Sequence, residues 1–493
     1  MILDIEQKTT ELTCSYFNKE GVIEYVRIPI ALEDRFNWEL CPENDKDRDF
    51  EYKSWDNKPV KKVFGKAANY QFKLSKYRIE ELLHKYSDIA APMKEFNMPK
   101  KYFIDIEVEV LDGFPDPESA NNKVTAIAIA GSESKMILVL GLKDLDDDQC
   151  LKIEADINEH FSKFNEKWHF QYKQFQSEAE LLDEFFSKLV PKFSCISGWN
   201  FTGYDWKYLL NRVDKLKLKY KDFEGKMVPL YNRSSPSGKL LGKNRFPQHR
   251  LIVDYMEIYN KWDRIIKVRE NSKLDYVGKM AVGIEKIKYP GSFTDLYEKD
   301  FQKFVFYNAV DSILVHYIDK KLNTMLAYLK LAEVSGIEVK KAFSPIWIME
   351  AMMNRKFLER KELFIYSGGD DEEQKTFEGA YVKEPIKGFH NWITCYDFAS
   401  LYPNTMMQFN ISPETFVGNN VEPKQGEVKA GEHTDENGRV TWRVFKNDED
   451  SILRGILLEL YGKRKETKQK YLSINKEIDA LSKYISKERL EQV

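Results

Sequence analysis

"KKYFIDIEV", residues 100–108, is the stretch from which the reading of this chain starts. Side chains alternate through it, with Tyr102, Ile104, Ile106 and Val108 facing one way and Phe103, Asp105 and Glu107 the other, as in a strand with one apolar face. Two carboxylates two residues apart therefore sit side by side. On an edge strand that pair is an ordinary solvated face. If it holds a metal ion, other carboxylates must converge on the same face.

Two later stretches supply candidates. In "SGWNFTGYDWKYLLNR" (197–212) a strand ends near Gly198-Trp199-Asn200, a loop with Gly203 follows, and Asp205 opens a helix. An acidic residue there can simply stabilise the helix N-terminus. In "FQKFVFYNAVDSILVHYIDKK" (301–321), Phe304, Tyr307, Asp311, Leu314 and Ile318 recur at 3-4-3-4 spacing, one helical face. An Asp on a core-facing stripe costs several kcal/mol, about the penalty of an unpaired buried charge, unless a metal or a basic side chain neutralises it. Asp105, Glu107, Asp205 and Asp311 together match two divalent cations of the kind that cleave phosphodiesters by in-line displacement. Oxygen-only ligands point to Mg²⁺ or Mn²⁺.

The wider sequence agrees with that choice. The five cysteines form no CxxC pair and the seven histidines have no metal-binding spacing, which argues against zinc and for a reducing, cytoplasmic compartment. A hydrophobic share of 42% with 31% charged residues is that of a globular chain. No window suits a membrane helix and the N-terminus does not read as a signal peptide. The net charge of −3 excludes a uniformly basic surface but not local basic grooves.

The organisation expected along the 493 residues is α/β and multidomain. Residues 1–99 form an α+β N-terminal domain, with 326–367 packing back on it. Residues 100–325 alternate strands ("FIDIEVEV", "KVTAIAIAG", "KMILVLGL", "FSCISGWN") with helices, including a long one near 177–190. After an acidic linker, "SGGDDEEQK" (367–375), a strand region is expected around 379–398, an exposed loop or hairpin over 421–440, and a helix from 452. There is no internal repeat.

The three acidic stretches, in this order, resemble the 3′–5′ exonuclease domain of B-family DNA polymerases, with its D-x-E, N-x₃-[FY]-D and Y-x₃-D motifs. Here these are Asp105/Glu107, Asn200/Tyr204/Asp205 and Tyr307/Asp311. The resemblance implies a ribonuclease H-like fold and two ions per active site. Asp105 would bridge them, Glu107 and Asp311 would complete one, and Asp205 would serve the other, with Tyr307 orienting the attacking water. The basic stretch 232–250 would be a hairpin helping to part primer from template, or an ordinary exposed loop.

"YDFASLYPN" (396–404) is similar to motif A of the same family, and "EGAYV" (378–382) and "NISPET" (410–415) to segments flanking it in polymerases of the T-even bacteriophage type. By that resemblance 368–450 is a partial palm. Asp397 and the Phe398 carbonyl would bind metal, Ser400 and Leu401 would offer N–H groups to a triphosphate, and Tyr402 would stack under the sugar. "GILLELYGKRKETKQKY" (455–471) resembles the first fingers helix, within 451–493, whose Arg464 and Lys468 would grip the triphosphate.

The Y-G-D-T-D-S hairpin with the second palm aspartate, and the K-x₃-N-S-x-Y-G helix, do not occur in these 493 residues. Tyr471, Ile474, Ile478, Leu481 and Ile485 form an a/d stripe, whose burial is worth about 7–15 kcal/mol at 1.5–3 per side chain. The expectation is an N-terminal polymerase part that handles primer-template, single-stranded 3′ ends and dNTP. A second, C-terminal polypeptide would pair with the 471–485 helix. The setting would be the cytoplasm of a phage-infected bacterium. The alternatives are a stand-alone exonuclease and a non-catalytic nucleic-acid-binding protein.

Overall fold

The structure, a computed structural model, describes residues 1–65, 72–111, 113–263, 270–287, 292–365, 383–398, 400–434 and 438–482. The 367–375 linker, "EGAYV" and Ile485 lie outside the described residues. Contacts divide the chain into two units, 1–32 with 82–349 and 33–81 with 350–493. This cuts across the expected organisation: the first strands belong with the α/β block, and 350–365 belongs with 33–81.

The first unit is built on a six-stranded sheet in the order His169–Gln174, Met136–Gly141, Val124–Gly131, Lys101–Val108, Cys195–Ser197, Leu251–Ile252. The three long strands form an antiparallel meander, and parallel strands extend it on both sides. Lys101–Val108 is therefore an interior strand, which removes the solvated-edge reading of Asp105 and Glu107. Its Ile104, Ile106 and Val108 bury into a core with Phe185, Phe186, Trp206 and Leu209.

The opposite face is shaped by small residues. Phe103, Asp105 and Glu107 pair directly with Ala130, Ala128 and Ala126, and directly opposed residues share a face. Three alanines thus leave room beside the carboxylates for the Phe301–Leu322 helix, whose Ser312 hydroxyl donates to the Ala128 carbonyl at 3.3 Å. That helix is buried on every side from Asn308 to Asp319, so the apolar stripe through Asp311 is not its one inward face, as the spacing had suggested. The helix expected near 177–190 starts as Glu178–Asp183 and continues as a π-helical turn, Glu184–Leu189.

Two short hairpins follow the Asp205–Lys215 helix: Lys219–Lys221 with Met227–Pro229, and Leu240–Leu241 with Phe246–Pro247. The second lies inside the basic stretch 232–250. A separate antiparallel sheet, Ile2–Gln7, Glu11–Phe17 and Ile23–Pro29, completes the strands of this unit.

In the second unit a four-stranded sheet runs Glu362–Leu363, Arg48–Ser54, Pro59–Phe64, Phe36–Leu40 around Phe36, Trp38, Val60 and Leu363. Of the loop or hairpin expected over 421–440, the structure has the hairpin, Glu427–Thr434 paired antiparallel with Val440–Lys446. The Ile452–Leu481 helix follows. The strand expected up to residue 398 is not formed: 383–398 contains no strand. A strand needs a neighbour for its backbone N–H and C=O groups, and among the described residues nothing pairs with this segment. Among the described residues, no helix is long and apolar enough to cross a membrane.

Candidate active site

The central strand and its short parallel neighbour create the site between them. Cys195–Ser197 meets the central strand only along Lys101–Phe103, so among the described residues that edge of the central strand has no strand beside it beyond Phe103. The chain leaves the sheet at Gly198, where a Cβ would stand 2.3 Å from the Ile104 carbonyl oxygen; only glycine allows the passage. Asn200 then adopts a left-handed φ of 58°, and Asp205 becomes the first residue of the Asp205–Lys215 helix.

The Asp205 carboxylate does more than stabilise its helix. It accepts the backbone N–H of Ile106 at 3.0 Å, the peptide between Asp105 and Glu107. Asp254 fixes the preceding loop, taking the Thr202 N–H at 3.0 Å and its hydroxyl at 3.1 Å while capping the Tyr255–Trp262 helix through Met256.

The Phe301–Leu322 helix closes the other side. Asn308 donates its side-chain N–H to Asp105 Oδ2 at 2.9 Å. Tyr307 stands one turn before Asp311 on this helix, and Lys286 Nζ donates to Asp311 Oδ2 while lying 5.5 Å from the Tyr307 ring centre. Asp205 and Asp311 are 4% and 3% exposed, whereas Asp105 and Glu107 keep part of their surface in solvent.

Electrostatics bind the four acids into one system. Burial, and then the Asp311 charge, push Asp105 up to about 7. Burial and the charges of Asp105 and Asp311 hold Glu107 well above the ordinary carboxylate range. Asp205 is raised by burial and by Asp105. Asp311 is raised by burial, with Lys286 opposing. Each acid resists the ionisation of the next, which is how carboxylates gathered for a cation behave in its absence.

The donor set fits a hard divalent cation. Asp311 Oδ1 is buried without a hydrogen-bond partner, and every group offered is oxygen. The arrangement is not closed around a point, however. Among the described residues no three His, Cys, Asp or Glu side chains gather closely enough to hold an ion as they stand. Lys286 meanwhile supplies the positive charge on Asp311.

Sequence reasoning missed Lys286, Asn308 and the two exposed apolar residues after the strand, Leu111 at 67% and Phe114 at 83%, the latter 5.3 Å from the Tyr204 ring. Asn308 follows Tyr307 directly and was legible. Lys286 sits in an irregular segment with no periodicity to mark it.

In the second unit the sequence-derived positions are not gathered into a site. Asp397 is exposed in irregular chain rather than at a strand end, and Phe398 and Tyr402 are 78% and 68% exposed. Ser400 has a left-handed φ of 53° and precedes the Leu401–Gln408 helix, which starts two residues earlier than Pro403. Among the described residues no ion pair or hydrogen bond joins Asp397 to Arg464 or Lys468. "NISPET" has a clear structural task. Asn410 bonds the Lys446 and Glu449 carbonyls and the Ser451 N–H, and Glu414 takes the Ile452 N–H at 2.7 Å, anchoring the start of the Ile452–Leu481 helix.

The family model described as DNA polymerase family B, exonuclease domain, matches residues 47–277, and that described as DNA polymerase family B matches 346–488. The chain is 27% identical to the DNA-directed DNA polymerase of Escherichia phage RB69 over 392 residues, 74% of this chain and 41% of the relative. It is 26% identical to that of Enterobacteria phage T4 over 419 residues, 78% of this chain and 44% of the relative. With DNA polymerase 1 of Sulfolobus acidocaldarius it shares 27% over 347 residues, 66% and 36%. The chain thus spans less than half the length of the curated relatives it matches.

Proposed function

The chain belongs to the B family of DNA polymerases, and from that premise we propose that its first unit removes nucleotides from DNA 3′ ends by metal-assisted hydrolysis. The observation that carries this is the Asp205–Ile106 hydrogen bond, which sets a third carboxylate against the backbone of the residue between Asp105 and Glu107. The sheet order, an antiparallel meander continued by parallel strands, supports the ribonuclease H-like reading.

Asp105, Glu107, Asp205 and Asp311 would hold two Mg²⁺ or Mn²⁺ ions. Such ions supply an activated water and stabilise the charge that develops on the phosphate. Tyr307, one helical turn before Asp311, would orient the attacking water. Lys286 adds a cation next to the phosphate position, and Asn308 holds Asp105 in place. Leu111 and Phe114 offer exposed faces to the terminal bases. Replacing Asp105 and Glu107 with Ala is expected to abolish digestion of single-stranded 3′ ends; unchanged digestion sinks this reading.

For the second unit we propose a partial palm, 368–450, and the first fingers helix, 451–493, of a replicative polymerase. The N-terminal domain would be 1–99 and the exonuclease domain 100–325. The pairing of Glu362–Leu363 with Arg48–Ser54 supports a return of 326–367 to the N-terminal domain. Asp397 and the Phe398 carbonyl would take metal, Ser400, Leu401 and Tyr402 the nucleotide, and Arg464 and Lys468 its phosphates.

One palm carboxylate cannot hold two ions for nucleotidyl transfer, so polymerisation needs further polypeptide carrying the second aspartate. The exposed stripe Tyr471, Ile474, Ile478 and Leu481, between 43% and 63% exposed, supports a helix of that polypeptide docking there. The cytoplasm of an infected bacterium is the setting this implies. Primer extension should be absent with this chain alone and appear when a polypeptide bearing Y-G-D-T-D-S is added; extension by the chain alone refutes the division of labour.

A further inference from the structure

We propose that the Lys219–Lys221/Met227–Pro229 hairpin and the cavity behind it form a second site for single-stranded DNA, separate from the carboxylate cleft. The inference rests on reading the first unit's substrate as DNA. Its core is one side chain: Phe223, at the hairpin tip, is fully exposed, with a relative accessibility of 108%.

The tip is built to hold that ring outward. Asp222 Oδ1 accepts the N–H groups of Glu224 and Lys226 at 3.0 and 2.9 Å. The Asp222 N–H bonds the Lys226 carbonyl, and the Gly225 N–H bonds the Asp222 carbonyl. Gly225 takes φ +78°, with nothing within 4 Å of where a Cβ would stand. A turn locked by four hydrogen bonds presents a phenyl ring to water, and nothing in the unit's core claims it. Exposing a Phe forgoes its burial, and a rigid exposed aromatic is what base stacking uses.

The surroundings match a polyanion. Lys217, Lys219, Lys221 and Lys226 are exposed, and among the described residues none has a carboxylate partner within salt-bridge distance. Of the two acids at the tip, Asp222 is engaged by the turn and Glu224 is exposed beside the lysines, so the four lysines outnumber it. Behind the hairpin is a cavity of about 570 Å³, lined among others by Tyr220, Phe223, Arg233, Ser235 and Lys239, a volume that admits a nucleotide-sized group. Arg233 lies 4.4 Å over the Tyr220 ring and is steadied by the Ser187 hydroxyl at 3.1 Å. A guanidinium on an aromatic face, a free phenyl and unpaired lysines together fit unstacked bases on a tracked backbone. Duplex DNA would leave the rings without bases to stack on.

The site is also distinct in place. The Asp205–Lys215 helix has Asp205 at one end and leads into the hairpin at the other. Its 11 residues separate the two by about 16 Å. At about 3.4 Å per nucleotide even when fully stacked, a sixteen-nucleotide strand spans that distance with length to spare, whereas a four-nucleotide strand seated in the cleft has none left over for the hairpin tip.

The test measures fluorescence anisotropy with labelled oligothymidylates of four and sixteen nucleotides, in an Asp105→Ala/Glu107→Ala background so that nothing is digested. Phe223→Ala should weaken binding of the long strand about fivefold or more. Lys219→Ser/Lys221→Ser should lower the salt slope by about 1.4, at 0.7 per phosphate contact. In the otherwise intact protein, Phe223→Ala should digest the short strand at the parent rate. Phe223→Trp should show fluorescence quenched by the long strand only. Long-strand affinity within twofold of the parent in Phe223→Ala, or no long-strand binding by the parent at all, overturns the inference. Failure to digest the short strand, with Phe223-dependent binding of the long one intact, supports this site and overturns the exonuclease reading instead.

Discussion

Lys286→Met separates the carboxylate cluster's own repulsion from what a metal ion does to it. Lys286 donates to Asp311 Oδ2, and its charge also opposes the upward shifts of Asp105 and Glu107. Asp311 is 3% exposed at the side chain and Lys286 27%, so the pair is close to fully desolvated on the acid's side. Removing one partner of a buried pair costs about 3–5 kcal/mol because it strands the other charge. With the lysine partly in solvent, about 3 is the appropriate end. The assay is urea denaturation at pH 8.5, where Asp105, pushed up to about 7, is ionised, in EDTA and in excess Mg²⁺. In EDTA the variant should lose about 3 kcal/mol. In Mg²⁺ the loss should shrink below about 1, because a bound cation neutralises the stranded carboxylate. By mass action that difference, about 2 kcal/mol, corresponds to Mg²⁺ binding about thirtyfold tighter in the variant. Equal losses in the two buffers would refute the reasoning, since the cation would then not act on Asp311.

Three further outcomes follow from other parts of the molecule. Burial, and then the charges of Lys135 and Lys101, lower His316 from 6.5 to about 3, so its neutral form stabilises the fold fully above pH 6.5 and progressively less as pH falls toward 3. His316→Asn should therefore flatten the stability loss between pH 7.5 and 4.5 by about 2.5 kcal/mol, with an unchanged slope as the contrary result. Gly198→Ala puts a methyl against the Ile104 carbonyl and should cost about 1–3 kcal/mol while slowing 3′-end digestion at least tenfold through displacement of Asp205; normal digestion would show that the turn tolerates the shift. Ile474→Asn/Ile478→Asn changes side chains 54% and 43% exposed, so stability of this chain should move by no more than about 0.5 kcal/mol per site, whereas primer extension with the completing polypeptide should fail.

The central strand was legible because alternation alone sorts its side chains, and both Asp205 and Asp311 sit on the helices expected for them. What the pattern could not carry was contact. The Asp205 carboxylate reaches a backbone N–H across 99 residues of chain, and Lys286 reaches Asp311 from a segment with no regular spacing. The alanines opposite the carboxylates were on the page as "TAIAIA", but their meaning depends on a register that only pairing reveals. The Phe301–Leu322 helix misled in a different way. A helix buried on all sides contains every stripe one chooses to draw, so the spacing of Tyr307 and Asp311 was correct without being the reason they face the site.

The acidic stretches 100–108 and 396–404 end differently, and the difference is physical. Asp105 lies on an interior strand of a six-stranded sheet, and Asp105, Asp205 and Asp311 each have a hydrogen-bonding neighbour within the same unit. Asp397 follows an equally apolar run, yet Trp392, Ile393 and Tyr396 are 99%, 76% and 90% exposed and no strand forms. Strand propensity in such a run is realised only when a neighbour accepts its hydrogen bonds and covers its side chains. The same unit leaves Tyr471, Ile474, Ile478 and Leu481 uncovered on one helix. Among the described residues neither the apolar segment nor the a/d stripe has a neighbour to cover it, and each has the same physical need, a strand edge for the one and a helix face for the other. On the division of labour proposed above, a polypeptide carrying the second palm aspartate would meet both at once, ordering the 392–398 segment as it brings that carboxylate to Asp397.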